Sequence, residues 1–567
     1  MKKNILTNAI NIIIIISAVL LNFACSFNFW SDVYSFTSIK NITIISCIYT
    51  LIISSILIYK YKLFDKITTK KKVFGRKLDY IVSLLLSCKS SLIILKYFSL
   101  NKSFLKNIIN NFITKFELSS ELYWYISKLV IHILIIPILF VIWLAIIKFL
   151  IPHIIKFYKK MTKKEMYYLI ISNLLFITFA LIVNINTNAF SVAVSASSQQ
   201  PILYDVIYTT DSTEQVISNS FMNLGAPEND LRQPLFAVFS FPFGIIAWIG
   251  SEMFSYLPFN LTYSFLITVL QHLCLSICSI LISRMINKNS KLYSMIGFNL
   301  IFTTLLFGIN IEQYVFGLFW LILLIYNIVK NKKTYPLLFS AAVGSLTTNV
   351  VLLPFIVDRK NIKTFITNFI KYCFIFGTVL VIFGQAHTVI NNLLDFRYGS
   401  LMGAQGNVGF IDRLLQFIYF IPSCFIAPKG VVDLTKYSHA SFQLPDINKI
   451  NILGIILTIL MLVSFIINRK KTIAKISFGW LIFSFIILCV IGWGTAENGL
   501  IIYGAYFSWA YFILIYLLLE NILERHKKLE SIVFLLIFIA LAYFNFFADG
   551  GLIDIIRFGK QYYSFVL

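Results

Sequence analysis

The stretch Leu129–Ile151, LVIHILIIPILFVIWLAIIKFLI, runs on into Lys156, Lys159, Lys160, Lys163 and Lys164, and that junction decides the fold. A helix rises 1.5 Å per residue, so this run reaches across the roughly 30 Å hydrocarbon core of a bilayer. The lysines behind it cannot follow it into lipid, and clusters of this kind stay on the cytoplasmic side. One crossing and its direction are therefore legible together. The next apolar run, 167–186, must rise from the inside, which puts the residues after it outside.

The same pattern repeats along the 567 residues. The chain is 59% hydrophobic and only 13% charged, about half the charge of a soluble domain, with a mean hydropathy of +0.83. This excludes a water-soluble enzyme and a disordered chain. The expected architecture is an all-α polytopic membrane protein of about 13–15 spans with external amphipathic helices. Spans are expected near 8–25, 43–59, 79–98, 129–151, 167–186, 262–285, 294–309, 313–330, 364–385, 451–468, 474–493, 501–520 and 530–548. Between Pro336 and 358 the apolar pieces are too short for two crossings. Pro336, Gly344 and Pro354 point instead to half-length helices meeting at Leu346–Asn349. The run after Lys2 and Lys3 is read as an uncleaved first helix with a cytoplasmic N-terminus.

With that start, the clusters Lys60–Lys77, Lys156–Lys164, Arg284/Lys288/Lys291, Lys330/Lys332/Lys333, Arg359/Lys360/Lys363, Arg469–Lys471 and Arg525/Lys527/Lys528 all fall inside. The agreement requires that Leu235–Phe254, although apolar, lie along or dip into the outer surface rather than cross. Lys89 lies inside the third expected span, against this threading of the N-terminal third. The formal charge of +24 reflects a Lys-, Asn- and Ile-rich composition and carries no separate functional meaning. The eight cysteines sit mostly in apolar runs and suggest no disulfide framework. His272, Cys274 and Cys278 lack the polar support that a soft-metal site needs.

Two external segments carry the polar chemistry, and loops on rigid scaffolds are where chemistry sits. The first, about 187–261, holds Asp205, Asp211, Glu214, Glu228 and Asp230 with Arg232. Asp211 and Glu214, spaced i,i+3, share one face of a helix expected over Ser212–Met222. They also read as a plain N-cap with its capping box. Asp205 is the fallback carboxylate. Asp230 with Arg232 is equally an ion pair ordering the turn or a contact for acceptor or phosphate. The second segment, about 386–450, holds His387, Arg397, Arg413, Lys429, Lys436 and His439. Arg397 is its first candidate for a phosphate, with Arg413 and Lys429 behind it. No nucleotide-binding or soluble-hydrolase motif has its required context.

In this order the chain resembles the GT-C glycosyltransferases, membrane enzymes that use polyprenyl-phosphate sugars, of the type that modifies proteins or lipid A. The resemblance rests on acidic Asp211 and Glu214 at the start of the first large external loop. It rests also on Arg232-Gln233-Pro234-Leu235-Phe236 before a membrane-hugging helix, and on Val351-Leu352-Leu353-Pro354 after a short half-helix turn. It covers about 166–520. It implies a four-span extension over 1–165, a core over 166–386 with its catalytic loop at 187–261, an external loop over 387–450, and transmembrane helices over 451–567. It further implies an inverting transfer of sugar to a glycan, lipid or protein on the extracytoplasmic face. Asp211 would then be the general base with Asp205 in reserve, and Glu214, Asp230, Arg232, Gln233 and Arg397 would bind substrate. Transfer of this kind needs a base for the acceptor hydroxyl and a cation for the departing phosphate, and arginine's planar fork suits the latter. The late external turn departs from the pattern: it carries Glu497-Asn498 and Tyr503/Tyr506 where relatives often place an Arg-Tyr pair.

The lipid-linked sugar is expected as co-substrate and membrane lipid as surroundings. No cofactor and no nucleic acid are expected. A divalent metal is not expected either, because nothing fixes an octahedral oxygen set. The competing function is a flippase for polysaccharide or lipid-linked sugar, or a polymerase. A flippase would place charges within the core spans or show paired repeats.

Overall fold

The computed structural model describes residues 2–28, 36–70, 73–97, 120–187, 200–202, 204–224, 226, 231–287, 292–332, 336–356, 361–386, 389, 408–435, 438–495 and 498–563. Helix dominates them, and one two-stranded antiparallel pair, Val431–Asp433 with Ser441–Gln443, is the only sheet among the described residues. Nine helices there are long and apolar enough to cross a membrane, or ten counting one bent pair, and five shorter apolar helices accompany them. The protein is therefore a multi-pass, all-α membrane protein. Phe236–Met253, expected at the surface, is one of the nine; at about 27 Å it is just short of a full bilayer core.

The chain forms two units. The first comprises Met1–Met161, Met222–Phe239 and Lys360–Leu394. Its helices meet through polar groups, which act as glue where lipid removes the hydrophobic drive for association. Asn22 Nδ2 donates to the carbonyls of Val381 at 2.7 Å and Ile382 at 3.0 Å. Tyr49 OH lies 2.8 Å from Thr378 Oγ1. Pro137 sits inside the Ser120–Ala145 helix, where proline opens the backbone ladder. The next amide, Ile138 N–H, donates instead to Ser17 Oγ at 3.0 Å. The Arg76–Tyr97 helix, which contains Lys89, is not among the nine apolar ones. Its Ser83, Ser87, Ser90 and Ser91 are buried, and Trp143 Nε1 donates to Ser90 Oγ at 2.7 Å.

The second unit comprises Thr162–Phe221, Ser240–Arg359 and Asp395–Leu567. Leu500–Leu523 lies at its centre, with 89% of its apolar stretch buried, against 11% for Lys527–Tyr562 at the lipid-facing edge. The Lys163–Asn186 helix opens with a capping box: Glu165 N–H donates to Thr162 Oγ1 at 3.2 Å, and Thr162 N–H to Glu165 Oε2 at 2.7 Å. Arg284 closes on the same carboxylate with its planar fork, at 2.6 and 2.8 Å.

Several expectations change in this unit. The span expected over 294–309 is two helices, Leu292–Leu300 and Phe302–Ile309, bent by 64°. Ile301 is extended at the break. Leu300 C=O, which loses its helical partner there, accepts Asn545 Nδ2 at 2.7 Å, and Phe302 N–H donates to Phe425 C=O at 3.0 Å. Asn545 also donates to Phe425 C=O at 2.9 Å and accepts Ala427 N–H at 2.7 Å, so one buried side chain knots three segments. The half-helix pair forms as Pro336–Ser345 followed by a 3-10 turn, Thr347–Leu352, and a short helix, Leu353–Ile356. Asn349 Nδ2 fastens it by donating to Ala342 C=O at 2.8 Å.

The helix expected over Ser212–Met222 stops at Ile217. Asn219 takes a left-handed conformation, φ 52°, and Ser220 N–H reaches back to Gln215 C=O at 3.3 Å, the helix-ending turn that asparagine supports. The 386–450 segment is not simply loop. It contains the helix Phe410–Ser423 as well as the strand pair. A helix not anticipated, Leu552–Tyr562, buries Leu552, Ile555 and Phe558 along one face.

Candidate functional site

The acidic segment 204–214 is held from two sides, both within the second unit. On one side Tyr208 N–H donates to Phe442 C=O at 2.8 Å and Phe442 N–H to Val206 C=O at 2.9 Å. Gln443 Nε2 donates to Asp205 C=O at 2.9 Å. The Tyr208 ring stands edge-on to Phe302 and Phe442, with centroids at 6.0 and 5.4 Å. Its hydroxyl donates to the carbonyls of Pro428 at 3.3 Å and Gly550 at 3.2 Å. Phe442 packs in turn on Phe558 of the last helix, centroids 5.6 Å apart, and Tyr563 OH donates to Ala440 C=O. The two polar segments and the C-terminal helix thus make one platform.

That platform holds three residues with side chains in the left-handed region: Asp205 at φ 59°, Tyr208 at 50° and Thr209 at 61°. Such conformations cost about 1–3 kcal/mol each, most for a β-branched residue, and persist only where the surroundings over-determine them. They concentrate at functional sites for that reason.

On the other side stands the turn Asn310–Gln313 between two apolar helices. Asp211 N–H donates to Glu312 Oε1 at 2.7 Å, and Ser212 Oγ donates to Asn310 Oδ1. Gln271 Nε2 supports the turn by donating to Glu312 C=O at 2.9 Å. Glu312 is 3% exposed, while Asp211 is half-buried. Asp211 occupies the N-cap position of Ser212–Ile217, but its side chain makes no capping bond, so the capping box that would account for it structurally does not form. Half-burial pushes the Glu214 carboxyl above its ordinary range.

A cation stands beside the late turn. Arg413, on the first turn of Phe410–Ser423, donates from Nη1 to Val490 C=O at 2.5 Å, and its guanidinium lies 5.7 Å from the Phe410 ring centre. The adjoining turn requires glycine twice. Gly492 and Gly494 have φ of +76° and +75°, and Cβ atoms there would meet Arg413 Cδ at 2.5 Å and the Tyr503 ring at 2.6 Å. Gln416 Nε2 donates to Thr495 C=O at 3.2 Å, and Trp493 Nε1 to Tyr503 OH at 2.9 Å. The turn reaches the acidic segment at Gly499, whose added Cβ would lie 3.1 Å from Thr209 Oγ1.

Among the residues singled out from sequence, Asp205, Asp211 and Glu214 belong to one segment of the second unit. Arg232 and Gln233 belong to the first unit. There Arg232 is half-buried, and buried Gln233 accepts Phe236 N–H at 3.0 Å at the start of the Phe236–Met253 helix. Asp230, Arg397, Glu228 and His387 lie outside the described residues. Asn310, Glu312 and Gln313 were not singled out from sequence; Arg413, placed there behind Arg397, stands beside the late turn. The signal for the first three was present: a polar run, Asn310-Ile311-Glu312-Gln313, interrupting an otherwise apolar stretch from 294 to 329. Among the described residues no group of three or more His, Cys, Asp or Glu side chains could hold a metal ion. His272 stacks flat on Phe176 at 3.8 Å. No family model, no curated protein and no solved structure matches the chain.

Proposed function

We propose that this protein is a membrane glycosyltransferase that moves a sugar from a polyprenyl-phosphate donor to a glycan, lipid or protein acceptor on the extracytoplasmic face. The observation that supports it most is Asp211 itself. It is a half-buried carboxylate on a strained segment, its backbone bound to the buried Glu312 at the ends of apolar helices. The lysine distribution puts that end outside, where a lipid-linked donor would present its head group.

In this reading the acceptor hydroxyl approaches the anomeric carbon of the donor. Asp211 takes the hydroxyl proton as the new carbon–oxygen bond forms. The bond from the anomeric carbon to the phosphate oxygen breaks, its electron pair leaves with polyprenyl phosphate, and the anomeric configuration inverts. Arg413, half-buried beside the Gly492–Gly499 turn, supplies the charge that the departing phosphate needs.

Asp211→Asn tests the assignment. Asparagine keeps the size, and no capping bond is there to lose. Membranes carrying wild-type or variant chain are given a panel of polyprenyl-phosphate sugars, and transfer into envelope products is counted. The expected result is unchanged expression with transfer lowered about 10²-fold or more, while Glu214→Gln stays mild. Near-normal turnover by Asp211→Asn with an inactive Asp205→Asn would move the base to Asp205. No transfer by the wild-type chain from any donor would sink the enzyme reading.

A further inference from the structure

Three amide atoms around the Asn310–Gln313 turn are buried without a hydrogen-bond partner: Asn310 Nδ2, Gln313 Oε1 and Gln271 Oε1. Their residues are 0%, 4% and 0% exposed. Unpaired buried polar atoms cost free energy and are uncommon in native proteins, so two on this turn and a third on the helix beside it call for an explanation. One of these amides, Gln271, is fixed in orientation, because its Nε2 donates to Glu312 C=O. Asn310 bonds Ser212 Oγ, a hydroxyl that can donate or accept, so turning its amide over leaves one unpaired polar atom either way. The orphans are one donor and two acceptors, on and beside the turn that holds Asp211.

We propose that Asn310, Gln313 and Gln271 form a subsite for the hydroxyl groups of the donor sugar. A cation would satisfy the two amide oxygens and repel Asn310 Nδ2; an anion would do the reverse. A hydroxyl donates and accepts at once and satisfies both kinds of orphan. Two ligands offer that chemistry beside a carboxylate, a sugar and water, and the experiment separates them. The inference rests on the glycosyl-transfer reading and adds the residues that recognise the sugar rather than the lipid phosphate.

The test is equilibrium binding to the full chain purified in detergent. The probes are farnesyl phosphate and its conjugates with a panel of hexoses, N-acetylhexosamines and pentoses. At least one conjugate is expected to bind wild type about 10-fold or more tighter than bare farnesyl phosphate, the scale of a few net hydrogen bonds. Gln313→Leu and, separately, Gln271→Leu should erase that preference while leaving the affinity for bare farnesyl phosphate unchanged. Gln313→Leu should also melt no lower than wild type, because it removes an unpaired polar atom from a buried place. A wild-type chain that binds farnesyl phosphate with no preference for any conjugate overturns the inference alone and leaves water as the occupant. Variants that keep the preference overturn it as well. Binding of neither probe class by wild type overturns the transfer reading and this inference together.

Discussion

Replacing Asn545 with leucine should loosen the acidic end of the second unit, and the size of the effect follows from its hydrogen bonds. The side chain makes three, to Leu300 C=O at 2.7 Å, Phe425 C=O at 2.9 Å and Ala427 N–H at 2.7 Å. Leucine is close in volume, so packing changes little. Phe425 C=O keeps Phe302 N–H at 3.0 Å and is not orphaned. Leu300 C=O and Ala427 N–H are left, both in half-buried surroundings. At about 1–3 kcal/mol for each unmet group, discounted for partial exposure, the loss is about 2–4 kcal/mol. Thermal unfolding of the purified chain, followed with a thiol-reactive dye, reads it at a fixed scan rate, since such transitions are often irreversible. Cys424, buried next to Phe425, is the local reporter and should label earlier than Cys274 and Cys278 in the variant. A midpoint within about 1 °C of wild type, where a loss of this size should shift it by several degrees, with unchanged Cys424 labelling would refute the knot. The milder Tyr208→Phe removes only the hydroxyl contacts to Pro428 and Gly550 and should cost about 1 kcal/mol.

Arg284→Ala should destabilise strongly, by about 3 kcal/mol, because it leaves the buried Glu165 carboxylate without its charge partner; Glu165→Gln, which keeps the capping box, should cost less in the same melt. Glu214 gives a pH signature. Its carboxyl is raised above the ordinary 4.5 by burial, so the folded state holds the proton more tightly than the unfolded one. The stability this lends is complete below about pH 4.5 and is lost as pH rises through the raised value; Glu214→Gln should flatten that slope in melts across pH 4–7, and an unchanged slope would assign it elsewhere. Sidedness is read with single cysteines at Tyr204 and Tyr256, which are 50% and 77% exposed. Both should react with a membrane-impermeant reagent on intact cells; Tyr256→Cys labelling only after permeabilisation would mean that Phe236–Met253 crosses.

Hydropathy and charge settled the class of this protein from sequence because lipid and water sort residues one at a time. A run such as Leu129–Ile151 is excluded from water whatever its neighbours do, and Lys156–Lys164 from lipid. Locality also explains what was misjudged. Asn219 ended the helix after Ile217 with an ordinary local turn, and Asn-rich composition hid it among many asparagines. The bend at Ile301 has no proline or glycine to announce it, since its cause is Asn545, 245 residues from the carbonyl it satisfies. The site belongs to this second kind. Asp211 meets Glu312 across 101 residues and Tyr208 meets Gly550 across 342, distances at which periodicity carries no information. Sequence alone marked the carboxylates of 204–214 as unusual. Which buried groups face them was decided only when helix ends far apart in the chain were packed together, because an unpaired backbone or carboxylate group there must find its partner in space.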